Sequence, residues 1–370
     1  MSIKIAIVGG GLAGLITSLE LSKKGVPSCV FEKRVYPFHK VCGEYVSNEV
    51  VPYLQSLQAY PESLSPSDIS HFTLSSIRGQ TATMPLDLGG FGVSRYNFEN
   101  FLYEQGKSRG VTFRLGTEVL AIERRGHKFV LKTAQDEFEA DLVIGSFGKR
   151  SKIDVAMQRR FLSSRSAFVG IKYHVRCPHE RNTVALHNFQ GGYCGVAPIE
   201  NDLINLCYLV AREPLRKYGD VQQFESAVVM QNPILKRIFN EARFDAKPNV
   251  INEISFATKQ PVEDNILMVG DAAGMVAPVF GNGMAIAIRT GKFAGNVAAL
   301  FSQGKITRAE MEAQYRLDWN KSVRGRLWLG RNVQRLFGSR FASAIAVNLM
   351  NSSSAFSSAV IRSSHGKFFS

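Results

Sequence analysis

The stretch that decides the fold is residues 3–14, which read Ile-Lys-Ile-Ala-Ile-Val-Gly-Gly-Gly-Leu-Ala-Gly. Its three isoleucines and its valine predict a short apolar strand. Gly9, Gly11 and Gly14 then match the spacing G-x-G-x-x-G, and the residues from Leu12 to Ser22 predict an amphipathic helix. Glycines allow a tight turn and a close approach of the backbone to a diphosphate, whose charge is favoured at a helix N-terminus.

A second strand and an acidic residue follow at the spacing that a nucleotide-binding unit requires. Residues 28–31 read Ser-Cys-Val-Phe, and Glu32 comes 18 residues after Gly14. A carboxylate at this point binds ribose hydroxyls. Strand, turn, helix, strand and acid are all present in order, so we predict a nucleotide site. The alternative is a strand-to-helix turn of another α/β fold, which would leave Glu32 without a role.

A second Gly-rich segment, residues 267–283, reads LMVGDAAGMVAPVFGNG near the other end of the chain. An apolar run leads into it and predicts a strand. Small residues follow it and predict a helix. One Gly-rich turn indicates a nucleotide, whereas two in this order indicate an FAD that is held at both its diphosphate and its ribityl chain.

Composition restricts the class of protein. A chain of 370 residues with 45% hydrophobic content can form two closely packed domains. Its five cysteines include no C-x-x-C pair, which argues against a disulfide framework, a zinc site or an iron–sulfur cluster, so we predict no metal. The first strand starts at Ile3 and leaves no room for a signal peptide, and no apolar stretch reaches about 18 residues. We therefore expect a cytoplasmic protein.

The net charge of +14 is concentrated near the C-terminus, where residues 289–370 hold 13 Lys and Arg against 3 Asp and Glu. Apolar residues recur there at helical spacing: Val333, Phe337, Phe341, Ala344 and Ile345. They predict an amphipathic helix over Leu329 to Ile345. Such a helix can pack on the protein body, which we favour, or make a peripheral contact with an anionic membrane. Nucleic-acid binding is disfavoured because no recognised module accompanies the charge.

The order of the predicted elements indicates an α/β fold with a discontinuous nucleotide domain. Residues 1–151 and 261–300 predict a Rossmann-like FAD-binding domain, with strands of a second domain interleaved around residues 70–95. Residues 152–260 predict an inserted, mostly antiparallel substrate sheet. Residues 301–350 predict C-terminal helices, and 351–370 predict a loosely ordered tail.

Several motifs resemble those of the FAD-dependent aromatic hydroxylases (the group A flavin monooxygenase fold), and within that fold the geranylgeranyl reductase-like branch. The motifs are Gly9 to Glu32, Leu267 to Gly283, Val41-Cys42-Gly43-Glu44 and, more weakly, Gly191 to Pro198. The last of these stands where the family has a substrate-facing strand with a Tyr and a Pro. The resemblance extends to about residue 300.

The resemblance implies a set of residues that contact FAD, from the diphosphate to the flavin ring. They are Gly9, Gly11, Ala13 and Gly14 at the diphosphate, Glu32 at the adenosine ribose, Val119 at the adenine, Arg95 at phosphate oxygens, Asp271 at the ribityl chain or diphosphate, and Gly43, Glu44, Gly283 and Met284 at the flavin ring. Cys42 and Tyr193 are the candidates for catalytic residues.

One departure from the family concerns the nicotinamide. The hydroxylases carry an Asp-Gly segment that helps to bind FAD and NAD(P)H, and here Phe147 occupies the Asp position. NAD(P)H is therefore expected at most as a transient reductant. The Trp-x-Trp signature of flavin halogenases is also absent, because the two tryptophans are Trp319 and Trp328.

The resemblance implies an FAD-dependent oxidoreductase that transfers a hydride to or from an unsaturated, lipophilic substrate. The alternative is a single-component monooxygenase that uses NAD(P)H and oxygen to hydroxylate an aromatic or polyketide-like substrate. One fold can support both chemistries. A third hypothesis, of another class, is a flavin-binding partner protein without turnover.

Overall fold

The computed structural model describes residues 4–163, 168–335 and 337–370, with only the backbone of Phe280. Within these residues the strands are β1 Ile5–Val8, β2 Ser28–Glu32, β3 Tyr45–Ser47, β4 Ser67–Ser75, β5 Thr81–Gly92, β6 Thr112–Leu115, β7 Ala121–Arg125, β8 Lys128–Lys132, β9 Glu137–Ala140, β10 Leu142–Gly145, β11 Phe168–Arg176, β12 Thr183–Phe189, β13 Gly192–Pro198, β14 Ile204–Ala211, β15 Arg243–Phe244, β16 Asn249–Ile254, β17 Val262–Glu263 and β18 Ile266–Met268. The α-helices are α1 Leu12–Lys23, α2 Val51–Ser56, α3 Arg95–Ser108, α4 Lys152–Ala156, α5 Arg212–Arg216, α6 Val221–Ala227, α7 Pro233–Glu241, α8 Gly283–Ser302, α9 Arg308–Trp319, α10 Gly325–Gln334, α11 Arg340–Ser352 and α12 Ser354–Ser364.

A six-stranded sheet contains the strands of both Gly-rich motifs. Its order is β17-β18-β10-β1-β2-β6, and all neighbours are parallel except β17 and β18. Only β10 separates β1 from β18, so the turns that follow these two strands lie at the same edge of the sheet. This edge, at the carboxyl ends of parallel strands, is where open α/β sheets bind ligands. The predicted α/β, Rossmann-like fold class is confirmed.

Helix α1 differs from the sequence-based expectation in one respect. The prediction was an amphipathic helix, but every residue from Leu12 to Leu21 is buried. The helix lies between other elements and even encloses Glu20, whose carboxylate accepts a hydrogen bond from the Tyr53 hydroxyl at 2.7 Å. A helix that is covered on all sides needs no polar face.

A nine-stranded, mostly antiparallel sheet forms the second layer. Its order is β15-β11-β14-β13-β12-β4-β5-β3, and β16 also pairs with β11. Only β4 and β12 pair in parallel. Helices α6 and α7 cover one face of this sheet through an apolar cluster that includes Tyr208, Phe224 and Leu235. A separate three-stranded sheet, β7-β8-β9, lies in the chain between β6 and β10.

The C-terminal region corrects the single helix predicted over Leu329 to Ile345. The structure has two helices there, α10 and α11, and Leu336 lies outside the described residues. Gly338 adopts a φ of +80° between the two helices, and Ser339 accepts a hydrogen bond from the N–H of Ala342 and so starts the second. The regular apolar spacing continues across the break between the two helices, so the spacing alone predicts one helix.

The predicted loose tail also differs from the structure, because most of it forms helix α12. Ser353 caps this helix by accepting a hydrogen bond from the N–H of Phe356. Beyond it, the carbonyl of Lys367 accepts a hydrogen bond from Arg289 at 2.7 Å, and the N–H of Gly366 donates to Glu49. Long-range polar contacts of this kind are not visible in a serine-rich sequence.

An α-helix needs about 20 predominantly apolar residues to cross a bilayer. None of the helices within the described ranges is sufficient by itself. Helices α11 and α12 are bent by 113° relative to each other. Taken together, they are long and apolar enough to cross a bilayer, by length and composition alone.

One buried carboxylate joins the nine-stranded sheet to helix α3. Glu200, in the turn between β13 and β14, accepts hydrogen bonds from the hydroxyl and the backbone N–H of Ser94, the latter at 2.8 Å. The side-chain amide of Asn97 donates another at 2.7 Å. Because Ser94 is the N-cap of α3, Glu200 helps to fix where this helix begins and where Arg95 lies.

Replacing Glu200 with alanine should lower the free energy of unfolding by about 3 kcal/mol, because buried donors would lose a charged acceptor. Chemical denaturation followed by circular dichroism measures the change. Glu104→Ala, on the exposed side of α3, is the matched control and should change stability by less than about 0.5 kcal/mol. Equal stability of the two variants would show that Glu200 does not hold α3 in place.

Candidate active site

The first Gly-rich turn lies against the end of β10 and leaves no room for side chains at two positions. Gly9 has a φ of +105°, and a Cβ there would overlap the carbonyl of Ser146. A Cβ on Gly14 would overlap the carbonyl of Gly9. The backbone thus passes directly from strand to helix, and α1 begins at the turn with its N-terminal N–H groups toward the loop.

Glu32 lies beside this turn, at the end of β2. Its carboxylate accepts hydrogen bonds from the backbone N–H groups of Gly10 at 2.8 Å and of Arg34 at 3.0 Å. The Tyr36 hydroxyl donates to the carbonyl of Gly10 from the same side. The carboxylate is therefore held at the turn, where a ribose hydroxyl could reach it.

A buried ion cluster places positive charge at the turn. Glu99 accepts a hydrogen bond from the N–H of Leu12 at 3.1 Å and pairs with both Arg95 and Lys40, the latter at 2.9 Å. Burial opposes ionisation of Glu99, but the two cations outweigh it and lower its pKa. A Cβ on Gly11 would lie 3.2 Å from the Lys40 ammonium. The two cations bring N–H donors to the turn, and such donors suit the oxygens of a diphosphate.

The second Gly-rich segment meets the first. Gly270 lies so close to Ala13 that their Cβ atoms would be 3.1 Å apart. Burial raises the pKa of the Asp271 carboxyl in this turn, and nearby Lys259 and Arg95 oppose that shift. Met284, at the start of α8, is buried in the same apolar cluster as Leu12 of α1. The structure therefore brings the two motifs together around one space.

The residues around this space fit FAD. The turn has room only for glycine at its closest points. It also has two cations close by and a carboxylate at the end of β2, as an adenosine diphosphate requires. Gly43 has no other atom within 4 Å of a Cβ position, so its surroundings are open. Val119 is buried in the apolar cluster beneath β2, together with Phe31.

The carboxylate of Glu44 is engaged by strand β11. It pairs with the Lys172 ammonium and with Nε2 of His174, the latter at 2.6 Å, and it accepts a hydrogen bond from the N–H of Arg95 at 2.8 Å. Glu44 is completely buried, and Lys172 nearly so. Burial opposes ionisation of Glu44, but Lys172 and His174 outweigh it and lower the pKa.

The strand register of the nine-stranded sheet separates a polar from an apolar region on one face. Lys172 and His174 of β11 share this face with Asn205 of β14, which is the cross-strand partner of His174. Further along the same face, Leu209 of β14 pairs with Tyr193 of β13. Side chains on paired antiparallel residues point to the same side. The face therefore changes from charged to apolar over a few residues.

The two candidate catalytic residues lie in these two regions. The carbonyl of Cys42 accepts a hydrogen bond from the Asn205 amide at 3.0 Å, and burial raises the pKa of the Cys42 thiol. A thiol of this kind is protonated near neutral pH and is a poor nucleophile. The Tyr193 hydroxyl donates to Gln334 of α10 at 3.1 Å, and its ring contacts Phe337 with centroids 5.1 Å apart.

Sequence reasoning missed several charged residues of this region. They are Lys40, Glu99, Lys172, His174 and Lys259. A signal for two of them existed, since Lys172 and His174 alternate within the apolar strand β11 and must share one face. The pairing of Lys40 with Glu99 had no local signal, because it depends on α3 packing beside the glycine turn.

A protein-family model described as the FAD binding domain matches residues 2–307 of the chain. A digeranylgeranylglycerophospholipid reductase of Methanococcus vannielii is 23% identical over 350 residues, which cover 86% of this chain and 83% of that protein. A 1H-pyrrole-2-carbonyl-(peptidyl-carrier protein) brominase of Pseudoalteromonas luteoviolacea is 22% identical, over 78% of this chain and 75% of that protein.

A solved structure has the same fold over most of its length. The geranylgeranyl bacteriochlorophyll reductase-like protein of Thermoplasma acidophilum superposes with a TM-score of 0.78 at 14% identity, covering 97% of this chain and 95% of that chain. The resemblance stated from the motifs is thereby confirmed. Because the FAD binding domain model covers most of the chain, the protein belongs to that family and is an FAD-dependent oxidoreductase or monooxygenase, with a similarity to the geranylgeranyl reductase-like branch of the aromatic hydroxylase fold.

Proposed function

We propose that this protein transfers a hydride between FAD and a carbon–carbon double bond of a lipophilic substrate. The observation that carries the proposal is the apolar region of the nine-stranded sheet beside the second Gly-rich segment. Tyr193 and Leu209 pack there with Met275 and Val279, which come shortly before the start of α8. The same segment that leads to helix α8 thus packs against an apolar cluster, and a hydrocarbon chain that entered here would have apolar neighbours.

Within this proposal, the protein orients the reactants and excludes water. When bound, FAD supplies hydride chemistry at its N5 atom. Gly283 and Met284 would direct the N-terminal N–H groups of α8 toward the flavin ring, where negative charge develops on reduction. The ring of Phe337 contacts that of Tyr193 and adds an apolar side chain to this region.

Saturating a double bond requires a proton as well as a hydride, and the polar region of the same face could supply it. Nε2 of His174 lies 2.6 Å from a carboxylate oxygen of Glu44, so one proton can be held between the two groups. The ring of His39 meets that of His174 edge-on at 5.5 Å and stacks on Tyr96 at 4.5 Å. We therefore propose His174 as the proton donor to the substrate.

The alternative, a monooxygenase, is supported by the similarity to the brominase and would use the same cofactor contacts. Two observations favour the reductase. Phe147 packs against the apolar core, so no carboxylate stands in the position that the hydroxylases use. Trp319 is buried at the end of α9 and Trp328 is exposed on α10, so they do not form the paired signature of halogenases.

The proposal predicts oxidation of the reduced flavoprotein without oxygen. The protein, reduced with dithionite under nitrogen, is mixed with vesicles that contain a geranylgeranyl ether lipid. The absorption of oxidised flavin should return, and mass spectrometry should find a lipid that has gained two hydrogen atoms. A flavin that reoxidises only after oxygen is admitted, with one oxygen atom added to an aromatic test substrate, would favour the monooxygenase instead.

Replacing His174 with glutamine should slow anaerobic substrate reduction by about 100-fold, because the proposed proton donor is lost. FAD content should stay the same, since Lys172 and the N–H of Arg95 still hold Glu44 in place. His127→Gln, in the exposed turn between β7 and β8, is the control and should be fully active. A rate that is unchanged in the His174 variant, with an unchanged solvent isotope effect, would assign the proton to another group.

Replacing Asp271 with alanine should release FAD, because Asp271 is the predicted partner of the ribityl chain or diphosphate. We expect affinity to fall by at least about tenfold, the effect of losing a hydrogen bond to a charged group. Absorption of the purified protein after dialysis measures retained flavin. Asp136→Ala, in the exposed turn between β8 and β9, is the control. Equal flavin content in the two variants would contradict the assignment of Asp271.

A further inference from the structure

The last part of the chain has an unusual charge distribution. Residues 319–370 contain eight Lys and Arg and no Asp or Glu, although the whole chain has 31 acidic residues. This segment begins at the end of α9 and includes helices α10, α11 and α12. The surface that these helices form is therefore positively charged without internal compensation.

Large apolar side chains are exposed on the same helices. Among the described residues, half of the exposed large hydrophobic side chains fall in this short segment. They are Trp328, Phe341, Ile345, Leu349, Phe356 and Phe368. Exposed fractions reach 61% for Trp328 and 78% for Phe341, and apolar side chains that are exposed as a group, unlike single ones, indicate an interaction surface.

Helix α11 shows how the two properties are combined. Phe341, Ile345 and Leu349 are spaced four residues apart and form one exposed stripe along the helix. On the other side, Ser343 and Val347 are buried, and Val347 belongs to the same apolar cluster as Tyr193. The helix is thus anchored to the protein by one side and presents a second apolar side outward.

Arginines without ion-pair partners belong to the same segment of the chain. Arg324, Arg335 and Arg340 are exposed and form no ion pair with any residue in the described ranges. Arg326 differs, because it pairs with the buried Glu49 at 3.0 Å. The exposed guanidinium groups are therefore available to an external anion.

We propose that the exposed side of α10–α12, defined by Trp328, Phe341, Ile345, Leu349 and Phe356, binds peripherally to an anionic lipid bilayer. Exposed apolar side chains can enter the interface while the arginines contact anionic headgroups. A second copy of the chain fits less well, because this surface would bring arginines against arginines. The inference does not depend on the proposed function, although it would place the bilayer next to the proposed substrate region.

The test is sedimentation of the FAD-loaded full-length protein with vesicles. Vesicles of phosphatidylcholine with phosphatidylglycerol should carry the protein down, whereas vesicles of phosphatidylcholine alone should carry much less. Binding should weaken as salt is raised, because charge attraction at an exposed surface is screened. Failure to sediment with the anionic vesicles, or equal binding to both vesicle types, would overturn the proposal.

Two double variants locate the surface. Arg335→Gln with Arg340→Gln should weaken binding to anionic vesicles by about 25-fold, since each basic residue near an anionic leaflet contributes about fivefold. Phe341→Ser with Ile345→Ser should weaken it by at least about tenfold. Matched controls are Arg243→Gln, an exposed arginine on β15, and Val155→Ser, an exposed apolar residue on α4.

Flavin content and the thermal midpoint establish that each variant is folded, which is expected because all the replaced side chains are exposed. Control variants should bind vesicles like the unaltered protein. If both double variants also bind like the unaltered protein, the surface is elsewhere and the proposal fails. If the unaltered protein forms dimers that the Phe341 and Ile345 changes dissociate, without vesicle binding, the surface is an interface between copies and the proposal is overturned.

Discussion

The buried carboxylate of Glu99 is the interaction on which the arrangement of the candidate site depends. It accepts a hydrogen bond from the first turn of α1 through Leu12 and pairs with Arg95 and Lys40. An uncompensated charge would be costly at this depth, so helix α3, the glycine turn and the loop of Lys40 must meet here. The same contact holds two cations beside the turn, and an anionic diphosphate can bind to them.

A second buried carboxylate, Glu44, organises the substrate side. It joins the loop that follows Gly43 to strand β11 through Lys172 and His174. The alternation of side chains along β11 and its register with β14 then place these charged groups on the face that also contains Leu209. One sheet face thus offers a polar region that can hold a proton and an apolar region that can hold a hydrocarbon, as the reduction of a lipophilic double bond would require.

The C-terminal region shows where pattern alone is insufficient. The apolar spacing from Val333 to Ile345 fits one helix, yet Gly338 and Ser339 divide it. The same spacing does not distinguish Val347, which is buried, from Phe341, which is exposed, because both are apolar and lie on one helix. Which side of α11 is buried depends on how this helix packs against strands that are distant in the chain. Burial of an amphipathic or apolar helix is therefore a property of the assembled fold.

Local pattern is enough to predict the strand, the glycine turn, the helix and Glu32, and hence the class of cofactor, because these features depend on the conformations and spacing of neighbouring residues. The replacement of the hydroxylases' Asp by Phe147 was likewise visible from its position in a motif. Only the tertiary structure decided which charges meet: Glu99 with Lys40, Glu44 with Lys172, and Glu200 with Ser94. These pairs join residues that are distant in the chain, and their energies depend on burial and on strand register, neither of which is encoded in local spacing.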